Sequence, residues 1–200
     1  DLILHLISRF GASGGTGYAI EFAGAAIRAL PIEARFTLCN MAVEFGAWTG
    51  IVAPDESTFE YVRGRPFAPG PAIWDQAVAH WRTLVSDPDA VFDREIEIDC
   101  TQIGPHITWG TSPQHGGNIG DAVPDPAAEP DQNRRQSMQR ALDYMGLAPG
   151  APLEGLPISA AFIGSCTNSR ISDLREAARL LRGHKVAAGV KAICVPGSSQ

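Results

Sequence analysis

Two hundred residues are enough for one or two domains with a real hydrophobic core. At 44% hydrophobic and 19% charged residues the chain reads as ordinary globular protein, and a formal net charge of -6 offers no basic surface for a phosphate backbone, which argues against nucleic-acid binding. No apolar run approaches the roughly 18 residues of a membrane span, so no membrane partner is expected.

The start, Asp1-Leu2-Ile3-Leu4-His5, lacks a basic n-region, a small-residue cleavage site and a Met, so no secretory signal is read. The end, Val195-Pro196-Gly197-Ser198-Ser199-Gln200, stops on a loop after an apolar strand. Both ends read as cuts, and the chain is expected to be an internal fragment of a longer protein. Cys39, Cys100, Cys166 and Cys194 are widely and irregularly spaced, with no C-x-x-C. This favours free thiols and a reducing, cytoplasmic setting, and no complete metal or cluster site within the chain.

Residues 1–9 carry a helical apolar pattern (Leu2, Leu6, Ile7), followed by the glycine-rich turn Gly11-Ala12-Ser13-Gly14-Gly15-Thr16-Gly17. That turn is neither G-x-G-x-x-G nor a P-loop, and it reads more as the start of a helix over Tyr18–Leu30 than as a nucleotide cradle. Phe36–Cys39 is a short apolar run, and Asn40–Gly46 reads as a helix with Asn40 as N-cap, which places Asn40 and Glu44 on one face. Ser57-Thr58-Phe59-Glu60 has the form of a capping box opening a short helix that Gly64 stops, with Asp55 and Glu56 serving turn and cap chemistry before it. Trp74, Val78, Trp81 and Val85 give an amphipathic helix over Asp75–Val85, and the alternation over Arg94–Asp99 predicts a half-exposed strand.

The segment Pro105–Pro130, rich in Gly, Pro, Asn and Asp, reads as an extended loop in which His106 and His115 are plain loop residues rather than catalytic ones. Asn133–Met145 is a helix closed by Gly146. Ile158–Ile163, Ser169–Leu181 and Val190–Val195 form strand, helix and strand, a βαβ unit with parallel pairing. The pattern divides the chain into an α/β domain over 1–118, a loop, helix and linker over 119–155, and the start of a second α/β domain over 156–200.

Cys166 falls at the turn after the first strand of that unit. In open α/β sheets ligands gather beyond the carboxyl ends of strands, and a helix N-terminus, with roughly half a positive charge, favours an anion such as a thiolate. Gly164 lets the backbone turn, and Thr167, Asn168 and Ser169 offer caps and hydrogen bonds. Three uses of Cys166 stay open on these grounds: a metal or cluster ligand, a small packed side chain, and, less favoured because His184 sits at the far end of the next helix, a nucleophile. Arg170 in the first turn opposes the helix dipole, which points to an anion or partner nearby.

Ile163-Gly164-Ser165-Cys166-Thr167-Asn168-Ser169-Arg170 resembles the cysteine signature of the aconitase family of [4Fe-4S] hydro-lyases. Further motifs agree along the whole chain: Ser13–Gly17 with Glu21-Phe22, Thr37–Glu44, Val52–Glu56, Tyr61–Arg65, Thr108–Pro113 and Val123–Pro126. They look most like the large-subunit branch that acts on isopropylmalate. The resemblance implies two α/β domains, three-layered with mixed and parallel sheets and only partly covered here, and a cluster held by three cysteines with one iron open to substrate. Cys166 matches the first ligand, with Asn168 beside the cofactor, and the other two ligands are expected beyond Gln200. Cys39, Cys100 and Cys194 are then packing residues. Asn40 and Glu44 match an active-site asparagine beside the cluster and a glutamate facing the iron-bound water or hydroxyl.

The same resemblance implies dehydration and rehydration that isomerise 2-isopropylmalate and 3-isopropylmalate in leucine biosynthesis. It also implies a separate small subunit that supplies the base, a small dicarboxylate substrate, and an inactive isolated fragment. Two places depart from the family pattern: Trp48 is bulkier than the expected residue, and Gln114-His115-Gly116-Gly117-Asn118-Ile119-Gly120 replaces a more apolar segment. The alternatives carried are a related hydro-lyase for another substituted malate, maleate or aconitate-type substrate, a cluster-free module that binds a small carboxylate at helix N-termini, and a cysteine-nucleophile enzyme.

Overall fold

A computed structural model describes residues 1–198; Ser199 and Gln200, the tip of the expected C-terminal loop, lie outside the described residues. In chain order the elements are α1 (Leu2–Phe10), β1 (Ala19–Glu21), α2 (Ala25–Ala29), α3 (Ile32–Met41), β2 (Thr49–Ile51), α4 (Glu56–Val62) and α5 (Trp74–Trp81). There follow β3 (His106–Thr108), β4 (Gly116–Asn118), α6 (Gln132–Met145), β5 (Ala160–Ile163), α7 (Ile171–Leu181) and β6 (Lys191–Cys194). The class is mixed α/β, with two parallel strand pairs and one antiparallel pair among the described residues. Two compact units result, Gly15–Gln102 and a second made of Asp1–Gly14 with Ile103–Gln200. In the second unit α1 packs on the β3–β4 hairpin and so joins the chain start to the later residues.

In the Gly15–Gln102 unit, β1 and β2 run parallel with Ala19 opposite Thr49 and Glu21 opposite Ile51. The single helix expected over Tyr18–Leu30 is therefore replaced by a strand and a five-residue helix. Alanine propensity loses to the ladder with β2, and Gly24, at φ 103°, breaks any helical run through it. The glycine-rich turn consequently leads into a strand. Its Gly15 N–H donates to the Phe45 carbonyl, and a Cβ at Gly15 would come within 3.1 Å of the Ile20 and Phe45 side chains.

Helix α3 begins after Pro31, whose fixed φ of -65° suits a helix start, and it absorbs the run Phe36–Cys39. Asn40 thus lies in the last turn of a helix and is not an N-cap. Residues 42–46 form a turn that Gly46, at φ 92°, helps to close, rather than a helix of their own. The inward residues Ile32, Arg35 and Leu38 include a cation that is only 3% exposed. Each of its nitrogens has a partner: Nη1 donates to Asp55 Oδ1 at 2.8 Å, Nη2 to the Arg28 carbonyl at 2.9 Å and Nε to the Leu30 carbonyl at 3.1 Å.

Asp55 is the N-cap of α4, accepting from the Thr58 N–H while the Thr58 hydroxyl accepts from the Asp55 N–H. The capping box is therefore Asp55/Thr58, two residues earlier than Ser57-Thr58-Phe59-Glu60 suggested, because Asp55 also answers Arg35. The hydrogen bond from Arg35, chiefly, holds the Asp55 carboxyl below its ordinary value. Helix α5 ends at Trp81, short of Val85, which is exposed; Trp81 stacks on Phe59 at 5.8 Å and Trp74 meets Arg63 in a cation–π contact at 4.8 Å. The strand predicted over Arg94–Asp99 does not form, since no partner strand is placed beside it among the described residues.

In the other unit α1 forms as expected and buries Ile3, Leu6 and Ile7. The segment expected as an extended loop contains an antiparallel hairpin instead, with His106 opposite Asn118 and Thr108 opposite Gly116. Three-residue strands, one of them Gly-Gly-Asn, carry almost no propensity signal, and packing by α1 supplies what propensity lacks. Trp109, Val123, Ala141, Leu142 and Leu153 form the core of this unit.

His115 belongs to that core. It is 4% exposed, stacks on Trp109 at 5.0 Å and has Nε2 3.2 Å from the Ser137 hydroxyl, so it is not the plain loop residue expected. Burial pushes its imidazole below the ordinary value. A side chain at Gly110 would lie 2.6 Å from His115 Nδ1, which explains a glycine at that position. The linker after α6 is pinned by bonds from Gly150 N–H to Val123 O and from Leu153 N–H to Asp121 O. Gly146, at φ 66°, ends α6 as expected. The βαβ unit also forms as expected, with β5 and β6 parallel and Ile163 opposite Cys194.

Replacing Asp55 by Asn keeps a cap oxygen for Thr58 but strips the buried guanidinium of its counter-charge. The expected loss is about 2–3 kcal/mol in chemical denaturation at pH 7, less than for a fully buried pair because Asp55 keeps partial solvent access. A carboxyl whose folded value is depressed contributes stability above its unfolded value, and this is lost as pH falls through the folded one. The gap between wild type and Asp55→Asn should therefore close as pH drops below about 3.8.

Candidate functional site

The structure places the sequence-predicted site residues on two turns, Cys166 with Asn168 in one unit and Asn40 with Glu44 in the other. Each is held from behind by buried groups.

The Cys166 turn begins where β5 ends. Glycine suits that position, Gly164: a Cβ would meet the exposed Phe162 ring at 2.7 Å and lie 3.2 Å from the Val195 carbonyl. Ser169, 5% exposed and at φ 68°, is a left-handed non-glycine residue, a conformation that costs energy unless its surroundings hold it. They do so at two points. Its hydroxyl donates to the Val195 carbonyl at 2.7 Å, and its own carbonyl accepts from the Gly197 N–H at 2.9 Å.

The strand-to-helix turn is thereby tied to the end of the neighbouring parallel strand, which bonds in turn through Val195 N–H to Ile163 O. The Ser165 hydroxyl accepts from the Thr167 N–H at 3.1 Å. Arg170 is the N-cap rather than a first-turn residue, and Asp173, inside the helix, accepts from its backbone N–H at 2.9 Å. The carboxylate of Asp173 therefore fills the role expected of Thr167, Asn168 or Ser169, and places a negative charge in the first turn where the helix dipole favours it. Between these ties the Cys166 thiol is exposed, with Thr167 Oγ1 3.7 Å from its sulfur.

The second turn follows α3. Leu38, Ala42, Phe45 and Ala47 are buried and anchor it, while Asn40 and Glu44 are exposed. Backbone bonds from Phe45 N–H to Met41 O and from Ala47 N–H to Ala42 O carry the chain past the helix end. Gly50 in β2 permits the close approach, since a Cβ there would stand 2.9 Å from Cys39 Cα and from Ala42 Cβ. The Asn40–Glu44 spacing of four is thus presented by a helix end and its following turn. Trp48, one of the departures from the family pattern, is 81% exposed just beyond it.

The other cysteines behave as packing residues or open strand positions. Cys39 is half-buried, with its thiol pushed up by burial, Cys100 lies in a 3₁₀ turn with Sγ 3.8 Å from Ile98 O, and Cys194 is exposed in β6. His184 sits past the end of α7, its N–H donating to Leu181 O. Among the described residues no three His, Cys, Asp or Glu side chains converge on one metal position, and no helix is long and apolar enough to cross a membrane. Thiolate is the donor type that iron–sulfur clusters take, and Cys166 is an exposed thiol on a backbone fixed by several bonds; the described residues thus fit such a group at one corner. Sequence reasoning missed Arg35, Ser169's backbone role and Asp173. Only Asp173 left a signal, as an acid three residues after Arg170.

These turns sit among motifs that run along the whole chain. The chain belongs to the aconitase family: the family model, Aconitase family (aconitate hydratase), matches residues 1–200. It is 60% identical over 198 residues to a 3-isopropylmalate dehydratase large subunit 1 of Bradyrhizobium diazoefficiens, covering 99% of this chain and 42% of that protein. It is 62% identical over 179 residues to a 3-isopropylmalate dehydratase large subunit of Cupriavidus necator, covering 90% of this chain and 67% of that protein. The chain therefore spans under half the length of the first relative and about two thirds of the second.

Changing Ser169 to Val places a β-branched residue at φ 68° and removes the bond to Val195. Together these should cost about 2–3 kcal/mol, read by chemical denaturation. Ser169→Gly, which keeps the backbone free, should cost less than half as much.

Proposed function

We propose that the protein is the large subunit of an isopropylmalate hydro-lyase, interconverting 2-isopropylmalate and 3-isopropylmalate in leucine biosynthesis in the cytoplasm. The observation that carries this is the fixed, exposed Cys166 turn within a chain 60% identical over 198 residues to a protein named for that activity.

Cys166 would hold a [4Fe-4S] cluster at one corner, with Asn168 beside it and two further cysteines from residues after Gln200. When bound, such a cluster with one open iron supplies a Lewis acid that polarises the substrate hydroxyl and carboxylate. Asn40 orients the substrate through its amide. The Glu44 carboxyl gives a proton to the departing hydroxyl and takes one back from the water that returns to the neighbouring carbon. A base on a separate small subunit removes the carbon-bound proton, so this chain alone is inactive. The division into α/β domains over 1–118 and from 156, with a linker between, belongs to the same proposal, supported by the parallel β5–α7–β6 unit.

A second reading keeps the same chemistry with a different substrate, a methyl-substituted malate or maleate. Trp48 supports it: a large exposed side chain stands four residues after Glu44, where the family pattern has a smaller or basic one.

Full-length protein reconstituted anaerobically with iron, sulfide and its small subunit should isomerise 2-isopropylmalate. Glu44→Gln should lower kcat by about 10²–10⁴-fold with little change in KM. Cys166→Ser should remove the brown absorbance and the activity together. Turnover by the 200-residue chain alone, or full activity in Cys166→Ser, would contradict the proposal. Faster turnover of citramalate than of isopropylmalate would select the second reading.

A further inference from the structure

Two histidines that take no part in the proposed reaction meet between α1 and the hairpin. Nδ1 of His5 lies 3.2 Å from Nε2 of His106, with the rings at 79° and their centroids 5.2 Å apart. Nδ1 of His106 is 2.9 Å from the Gly104 carbonyl. A carbonyl only accepts, so the neutral His106 ring carries its proton on Nδ1 and keeps a lone pair on Nε2, directed at His5. Donation of a ring N–H to a backbone carbonyl is also how a metal-binding histidine is usually oriented. Two nitrogens bound to one tetrahedral metal at about 2.0–2.1 Å stand about 3.3 Å apart. The separation found is therefore the one a metal would need.

The surroundings favour such an ion. Both rings are half-exposed, so a hydrated ion can reach them. Both are carried by elements already packed together, α1 against β3 and β4, so binding orders nothing new. The Asp1 carboxylate accepts from the His106 N–H at 2.9 Å, fixing the strand end. Burial first, then His106 and Arg9, lowers the pKa of the His5 imidazole, which favours its neutral, ligating form. His5 can move its proton from Nδ1 to Nε2 through water, freeing the second lone pair without net proton release.

We propose that His5 and His106 form a two-histidine site for a divalent transition metal of the zinc, copper or nickel class, completed by water, which clips α1 to the β3–β4 hairpin across a sequence separation of 101 residues. Imidazole donors suit these metals, and Cu2+ should bind more tightly than Zn2+. Among the described residues no third His, Cys, Asp or Glu joins the pair, so a ligand exchangeable with water remains on the metal.

The test uses full-length protein whose accessible thiols, Cys166 and Cys194 among them, are blocked with N-ethylmaleimide to remove them as competitors, with CuCl2 added to one equivalent. Pulsed electron paramagnetic resonance should count two coordinated imidazoles. His5→Gln and His106→Gln should each leave one, with Cu2+ affinity at least about tenfold weaker. Added ZnCl2 should raise Tm in the parent and not in either variant. Either variant suffices if the other fails to give the parent's circular dichroism. Two imidazoles retained in a folded variant, no imidazole coordination in the parent, or an equal zinc shift in parent and variant would overturn the proposal.

Discussion

A buried guanidinium sets the geometry of the unit that carries Asn40 and Glu44. Arg35 is 3% exposed, and a cation so placed is costly unless it is paired and hydrogen-bonded. Its partners are drawn from three places: the Arg28 and Leu30 carbonyls at the end of α2, and the Asp55 carboxylate that starts α4. The charge thus fixes where α2 stops, how α3 lies and where α4 begins. The turn after α3 inherits that placement, and Gly50 lets β2 close against it. Glu44 can be exposed and still well positioned, because the residues around it, Ala42 and Phe45, are buried.

The Cys166 turn is held by a different means. One serine in a left-handed conformation, whose hydroxyl and carbonyl both bond to the neighbouring strand end, ties it down. The thiol is open to solvent while the backbone beneath it is tied to the neighbouring strand end. The parallel pairing of β5 with β6 is what brings Val195 and Gly197 within reach, so the βαβ topology and the exposed sulfur are two aspects of one construction.

The long, periodic elements were legible in the sequence: α1, α6 with its Gly146 cap, and the βαβ unit. Cys166 at its turn was legible too, first from strand and helix patterns and then from the resemblance of its eight-residue motif. What failed, failed for identifiable reasons. Tyr18–Leu30 has the alanines of a helix, but β2 offers Ala19–Glu21 a ladder that no local reading contains. Asn40 has the chemistry of an N-cap, yet Pro31 starts the helix earlier and carries it past Asn40. The Gly-Pro-rich stretch hid a hairpin whose strands are only three residues long, one of them Gly-Gly-Asn, and are held by packing, and with it the core position of His115. Arg35 gave no signal because a buried cation is recognised only by the partners that surround it, and those are set by the fold.

We propose that Cys166 is the cluster ligand of this chain and that Asn40 and Glu44 serve the same substrate. Diffraction at the iron absorption edge from crystals of the full-length protein with its small subunit tests it most directly. The account predicts anomalous iron density within bonding distance of Cys166 Sγ, with Asn40 and Glu44 facing bound substrate. Iron held by other thiols with Cys166 free, or substrate bound away from Asn40 and Glu44, would contradict it.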